Sequence, residues 1–206
     1  MALQTLVKIS NVTNLSDARY CAGMGVDMLG FSMDIDSPEY IEPKTFAEIR
    51  SWVAGVQIVG ETTATDPEAI EQLLETYQPD VLQVDESALL PYLTTFDKPL
   101  ILRVDLSLIT LDQLQTLFQT GIAGADYVLL ESKNALHLDD DLKSALQRLS
   151  ARYPTLLGIG VSAANVHGLL ADLPVRGIAL SGGDEERPGN KEFGELMDIL
   201  EAIEVE

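Results

Sequence analysis

Eight short apolar runs recur along the chain, beginning near Leu6, Met28, Val56, Val81, Leu100, Tyr127, Leu156 and Ile178, at spacings of 22, 28, 25, 19, 27, 29 and 22 residues. Each run suits a buried strand, and each gap leaves room for a helix that returns the chain to the start of the next strand. That alternation is the pattern of repeated βα units with parallel strands. The gaps carry helix signals. Asp66-Pro67 places an N-cap before a proline at the first helical position, and Ala69, Ile70, Leu73, Leu74 and Tyr77 then recur on one face. Thr110 opens a segment with Leu114, Leu117 and Phe118 apolar and Gly121 at its end. Leu142, Ala145, Leu146 and Leu149 mark another, with Asp139-Asp140-Asp141 favouring its N-terminal dipole, and Phe193, Leu196, Met197, Leu200 and Ile203 mark the last.

Eight such units in 206 residues predict a single-domain (β/α)8 barrel over residues 1–206, with no internal boundary and an acidic tail, 201–206, that frays. A doubly wound sheet would call for a Gly-x-Gly-x-x-Gly turn after the first strand, and Ser10-Asn11-Val12-Thr13-Asn14 has no glycine. No apolar stretch approaches the roughly 20 residues of a membrane span. The N-terminus lacks the basic region of a signal peptide, and the lone Cys21 can form no internal disulfide; the expected location is cytoplasmic. Thirteen cations against 33 carboxylates give a formal charge of −20, which repels nucleic acids and anionic membranes. The expected partner is a phosphorylated small molecule held by backbone amides, with no nucleic acid, no membrane and no cofactor. The oligomeric state, monomer or homodimer, is open.

In such a barrel function belongs at the C-terminal ends of the strands. Side chains alternate along a strand, so Lys8 and Ser10 share a face, as do Gln83 and Asp85, Arg103 and Asp105, and Leu129 and Glu131. Lys8 and Arg103 lie inside apolar runs, and carboxylates such as Asp105 or Glu131 are expected to compensate them. Gly158-Ile159-Gly160 after the seventh strand and Ser181-Gly182-Gly183 after the eighth let backbone approach a phosphate closely, which makes Gly160, Ser181, Gly182 and Gly183 the candidate cradle. His137 and His167 stand outside any zinc spacing, and no metal site is expected. A weaker option is a magnesium-dependent lyase using Glu61, Asp85, Asp105 and Glu131. Cys21 reads as a packed core residue, and Trp52 as packing its helix against the barrel.

Several segments in order resemble the phosphoribosylanthranilate isomerase family of tryptophan biosynthesis, aromatic amino acid biosynthesis enzymes built on a single (β/α)8 barrel. Val7-Lys8-Ile9-Ser10 with Thr13-Asn14 is similar to Lys-Ile-Cys-Gly-x-Thr, Leu29-Gly30-Phe31 to Leu-Gly-Phe, and Ser37-Pro38-Glu39-Tyr40-Ile41 to Ser-Pro-Arg-Tyr-Val. Gln83 falls where the family has Gln-Leu-His-Gly, Gly160 through Asn165-Val166 resembles Gly-Gly-Leu-x-x-x-Asn-Val, and Ser181 through Lys191 resembles Ser-Ser-Gly-Val-Glu-x-x-Pro-Gly-x-Lys. The resemblance implies an aldose-to-ketose (Amadori-type) isomerisation of a phosphoribosylated amine, with Glu131 at the acid's position and Ser10 at that of the cysteine base, and with Lys8 beside it. It makes Glu39, Gln83 and Asp85 candidate substrate-binding residues, to which the strand-end alternation adds Arg103 and Asp105. Glu39 replaces an arginine that would hold the anthranilate carboxylate, and Asp85-Glu86 replaces His-Gly. The sugar-phosphate end thus resembles the family more than the amine end does. The alternative expectation is a diverged, non-catalytic paralogue that binds a phosphorylated metabolite or a protein partner.

Overall fold

The computed structural model describes residues 2–182, 185–187, 190–191 and 194–205. Eight parallel strands close into a barrel: β1 (Leu6–Ser10), β2 (Met28–Ser32), β3 (Gln57–Glu61), β4 (Val81–Val84), β5 (Leu100–Asp105), β6 (Tyr127–Glu131), β7 (Thr155–Leu157) and β8 (Gly177–Ser181). Each begins within one residue of its apolar run. Closure runs through β1 and β8, paired in register from Leu6 with Gly177 to Ser10 with Ser181. Gly177 is required there, because a Cβ would collide with the Leu6 carbonyl oxygen and lie 2.9 Å from its carbon.

The helices between the strands are α1 (Leu15–Gly23), α2 (Pro43–Trp52), α3 (Pro67–Tyr77), the single turn α4 (Leu90–Leu93) flanked by 3-10 turns, α5 (Leu111–Thr120), α6 (Asp140–Ser150), α7 (Val166–Asp172) and α8 (Gly194–Ala202). The predicted starts are met by specific chemistry. Thr110 and Gln113 form a reciprocal capping box on α5, and Asp139 accepts the Leu142 N–H at 2.8 Å on α6. Asp66 occupies the N-cap of α3 without a side-chain cap bond, leaving Pro67 to set the first turn.

Alternation divides the apolar residues into two shells. Met28, Val59, Val81, Ile101, Leu129, Leu156 and Ala179 fill the barrel's interior, while a larger cluster lies between the strands and the helices. Phe31, Phe46 and Tyr77 meet edge to face at centroid separations of 5.4 and 5.2 Å, locking β2, α2 and α3 together. The buried Tyr77 hydroxyl donates to the Ile41 carbonyl at 2.7 Å, which fixes the end of the loop joining β2 to α2.

Three expectations need correction. Trp52 is 63% exposed, because the inward stripe of α2 is Phe46 and Ile49, continued beyond the helix by Val53. Met197 is likewise on the outer side of α8, at 36% exposure, while Phe193 lies outside the described residues. The acidic tail is tied down as far as Val205, with Glu206 outside the described residues: Glu201 and Ala202 end α8, Ile203 is fully buried, and Glu204–Val205 pairs antiparallel with Ala2–Leu3 across the barrel floor. Burial of one isoleucine and four-residue pairing supply the anchor that composition alone did not suggest. Cys21 is buried as expected, and burial followed by the nearby Asp17 charge pushes its thiol up to about 12.

Candidate active site at the barrel mouth

The C-terminal ends of the strands open into a cavity of about 1120 Å³. Ser10, Gln83, Asp85, Arg103, Asp105 and Glu131 all line it, as the two-residue alternation predicts; Glu61 joins them from the end of β3 and Glu39 from the loop after β2. A smaller cavity of about 380 Å³ adjoins it on the side of β7 and β8, lined by Gly158, Gly160, Ser181 and Gly182. Gly160 has φ +65° and its carbonyl accepts from the Asn165 amide at 2.7 Å, so the loop turns back on itself without a side chain in the way. Gly183 lies outside the described residues.

Below the mouth, Lys8 is fully buried and donates to Glu61 Oε1 at 2.5 Å and to Ser10 Oγ at 2.7 Å. These partners come from β1 and β3, with β2 between them. Gly30 on β2 makes the contact possible: a Cβ there would strike the Glu61 carboxylate, 2.6 Å from Cδ, and lie 3.0 Å from Lys8 Nζ. Ser10 in turn donates to Glu131 Oε1 at 3.4 Å. Arg103 makes a two-pronged contact with Asp85, at 2.8 and 2.5 Å, and its Nη1 lies 3.8 Å from Glu131 Oε2. The principal partners of the two interior cations are therefore Glu61 and Asp85, where Asp105 and Glu131 were expected. Glu61 sits two strands from Lys8, so neighbour-by-neighbour reasoning missed it.

Glu131 and Asp105 are opposite each other in register on adjacent strands, yet their environments drive them apart. Burial pushes the Glu131 carboxyl up, and the Glu61 charge adds to this against the opposing pull of Lys8, Arg103 and Ser10. Burial also opposes ionisation of Asp105, but hydrogen bonds from the Ser107 hydroxyl and amide and from the Lys133 amide outweigh it and hold that carboxyl below its ordinary value. Such a split is what acid and base roles require.

The four carboxylates of the lyase option do not form a metal-ligand group. Glu61 and Asp85 are engaged by cations, and among the described residues no cluster of three or more His, Cys, Asp or Glu is arranged to hold an ion. Glu195, in the first turn of α8, was missed by sequence reasoning and also lines the smaller cavity. No signal marked it, since it reads as an ordinary first-turn acid.

Known proteins give this geometry its context. No family model matches the chain. N-(5'-phosphoribosyl)anthranilate isomerases from Nitrobacter winogradskyi and Thermosynechococcus vestitus are 25% and 27% identical to it, covering 97% and 94% of this chain and 93% and 87% of their own. The chain is similar along nearly its whole length to phosphoribosylanthranilate isomerases. The crystal structure of phosphoribosyl anthranilate isomerase from Thermotoga maritima has the same fold, with a TM-score of 0.80 at 22% identity, covering 97% of this chain and 98% of that one. 3-Hexulose-6-phosphate synthase follows the fold less closely, at a TM-score of 0.66 and 14% identity. Among the described residues no helix of this protein is long and apolar enough to cross a membrane.

Proposed function

We propose that this protein catalyses the aldose-to-ketose isomerisation of a phosphoribosylated amine, with Glu131 as the proton donor. The observation that carries this is the Glu131 carboxyl, raised by burial at the barrel mouth and linked through Ser10 to Lys8. The phosphate would lie in the glycine-lined cavity beside Gly160, Ser181 and Gly182, and the sugar would extend across the mouth. A solved relative in the family holds a reduced carboxyphenylamino deoxyribulose 5-phosphate, which supports a substrate of this class.

In the first step Glu131 gives its proton to the furanose ring oxygen. The C1–O bond breaks with its electron pair going to that oxygen, and the amine lone pair forms C1=N. Loss of the C2 proton then gives the enolamine, and protonation at C1 as the C2 hydroxyl becomes a carbonyl completes the aminoketose. The Lys8 ammonium occupies a lone pair of Ser10, so Ser10 donates and does not act as a base. Its part is to orient Glu131 beside the proton being moved, and the carboxylate left by the first step takes the C2 proton.

Glu131→Gln is expected to lower turnover by about 10²–10⁴-fold, the usual contribution of a positioned acid–base group, while leaving ribose 5-phosphate binding measurable by calorimetry. Absence of turnover by the parent protein on any phosphoribosylated amine overturns the reading. The pH profile is a second check. Because the acid must start protonated and its value is raised, activity should persist above the ordinary glutamate range and fall as pH climbs through the Glu131 transition. A rate that rises through that range would contradict the assignment.

A further inference from the structure

We infer that Arg103 is a positioning residue: held from behind by Asp85, it receives the second carboxyl oxygen of Glu131 once that group has given up its proton. This rests on the isomerase reading for where the proton goes, while the contact itself belongs to the free protein.

The geometry sets Arg103 between two acids. It stands on β5, with Asp85 just past the end of β4 on one side and Glu131 at the end of β6 on the other. Arg103 Nε and Nη2 donate to the two Asp85 oxygens at 2.8 and 2.5 Å, which uses one edge of the guanidinium and leaves Nη1 at 3.8 Å from Glu131 Oε2. That distance is too long for a hydrogen bond and short enough for an ion pair. Arginine stays charged at every working pH, so what changes at this contact is Glu131. A protonated carboxyl has little charge with which to close the gap. A carboxylate draws Nη1 in by about 1 Å, to the roughly 2.8 Å of a charge-assisted bond.

The other oxygen has its own support. Glu131 Oε1 lies 3.4 Å from Ser10 Oγ, which Lys8 backs at 2.7 Å and which Glu61 neutralises through Lys8. The groups facing Glu131 are thus Lys8 and Ser10 from β1, Glu61 from β3, and Arg103 with Asp105, opposite in register, from β5. Past the end of β7 comes Gly158, where a Cβ would stand 2.7 Å from Glu131 Cγ. Each cation therefore carries its own carboxylate. Surplus positive charge would strip Glu131 of its proton before the reaction begins. With Lys8 matched by Glu61 and Arg103 by Asp85, burial prevails and the carboxyl stays raised, yet a donor waits at each oxygen for the ionised form. Such a site carries one group through both protonation states, which service first as acid and then as base requires.

The test is the titration of Glu131 in the free protein, followed by NMR with labelled glutamate carboxyls and arginine guanidiniums and assigned with Glu131→Gln. Arg103→Gln should move that titration to higher pH, because the ionised form loses its cation. Asp85→Asn should move it to lower pH, because Arg103 is released toward Glu131. In the parent protein the Arg103 Nη signals should shift as Glu131 ionises, and Glu131→Gln should abolish the response. A guanidinium that only ties strands together does none of this. Unmoved titrations, or Arg103 signals blind to Glu131, overturn the inference; Asp85 is partly exposed, so Asp85→Asn decides the matter even where Arg103→Gln fails to fold. Arg103→Gln should also lose at least about tenfold in kcat with KM little changed, the scale of one hydrogen bond to a charged group. A loss confined to KM would make Arg103 a binding group and overturn the inference. Displaced titrations without turnover by the parent remove the isomerase reading alone, and turnover with undisplaced titrations removes this inference alone.

Discussion

Lys8→Met is expected to lower the melting temperature by on the order of 10 °C, following the loss of about 3–5 kcal/mol for stranding a buried charge in a chain of this size. Glu61 is 7% exposed, and its Oε1 has Lys8 as its close donor, with Asn11 N–H reaching the other oxygen at 3.3 Å. Methionine fills much of the lysine's volume, so the deficit comes from the unpaired carboxylate and not from a cavity. The double variant Lys8→Met/Glu61→Leu should regain most of the loss, because removing both members of a buried pair is often neutral. Thermal unfolding followed by circular dichroism measures both. A single variant that melts with the parent would show that the pair contributes nothing, and a double variant as weak as the single would show that the harm lies in packing.

Gly177→Ala should be worse still, costing more than about 3 kcal/mol, beyond the usual range for overpacking, because the obstruction is main chain. The collision with the Leu6 carbonyl cannot be relieved by a rotamer change; β1 must move away from β8 at the seam of the barrel. Hydrogen exchange should therefore accelerate first in Val7, Ile9 and Leu180. Gly168→Ala is the control. That glycine lies within α7 with nothing within 4 Å of a Cβ, so alanine should be neutral or stabilise by up to about 1 kcal/mol. Equal stability of the two variants would refute the steric account.

Strand positions were legible because buried strands of a parallel barrel are bounded apolar runs, and the alternation within them was legible because polar tips such as Ser10, Asp105 and Glu131 break those runs at two-residue intervals. Helix starts were legible where a side chain caps them, as at Thr110 and Asp139. The partnership of Lys8 with Glu61 was not, since it crosses a strand and depends on a glycine whose missing side chain leaves no periodic trace. Trp52 misled because bulk and hydrophobicity say nothing about the phase of a helix in its last turn. The anchoring of Glu204 and Val205 was hidden by charge, because a two-residue pairing depends on main chain and not on composition.

The ribbon of Ala2–Leu3 with Glu204–Val205 lies at the pole opposite the mouth. A tether or fusion partner attached there would leave the opening turned toward solution, so the protein could be immobilised for ligand screening without masking its entrance.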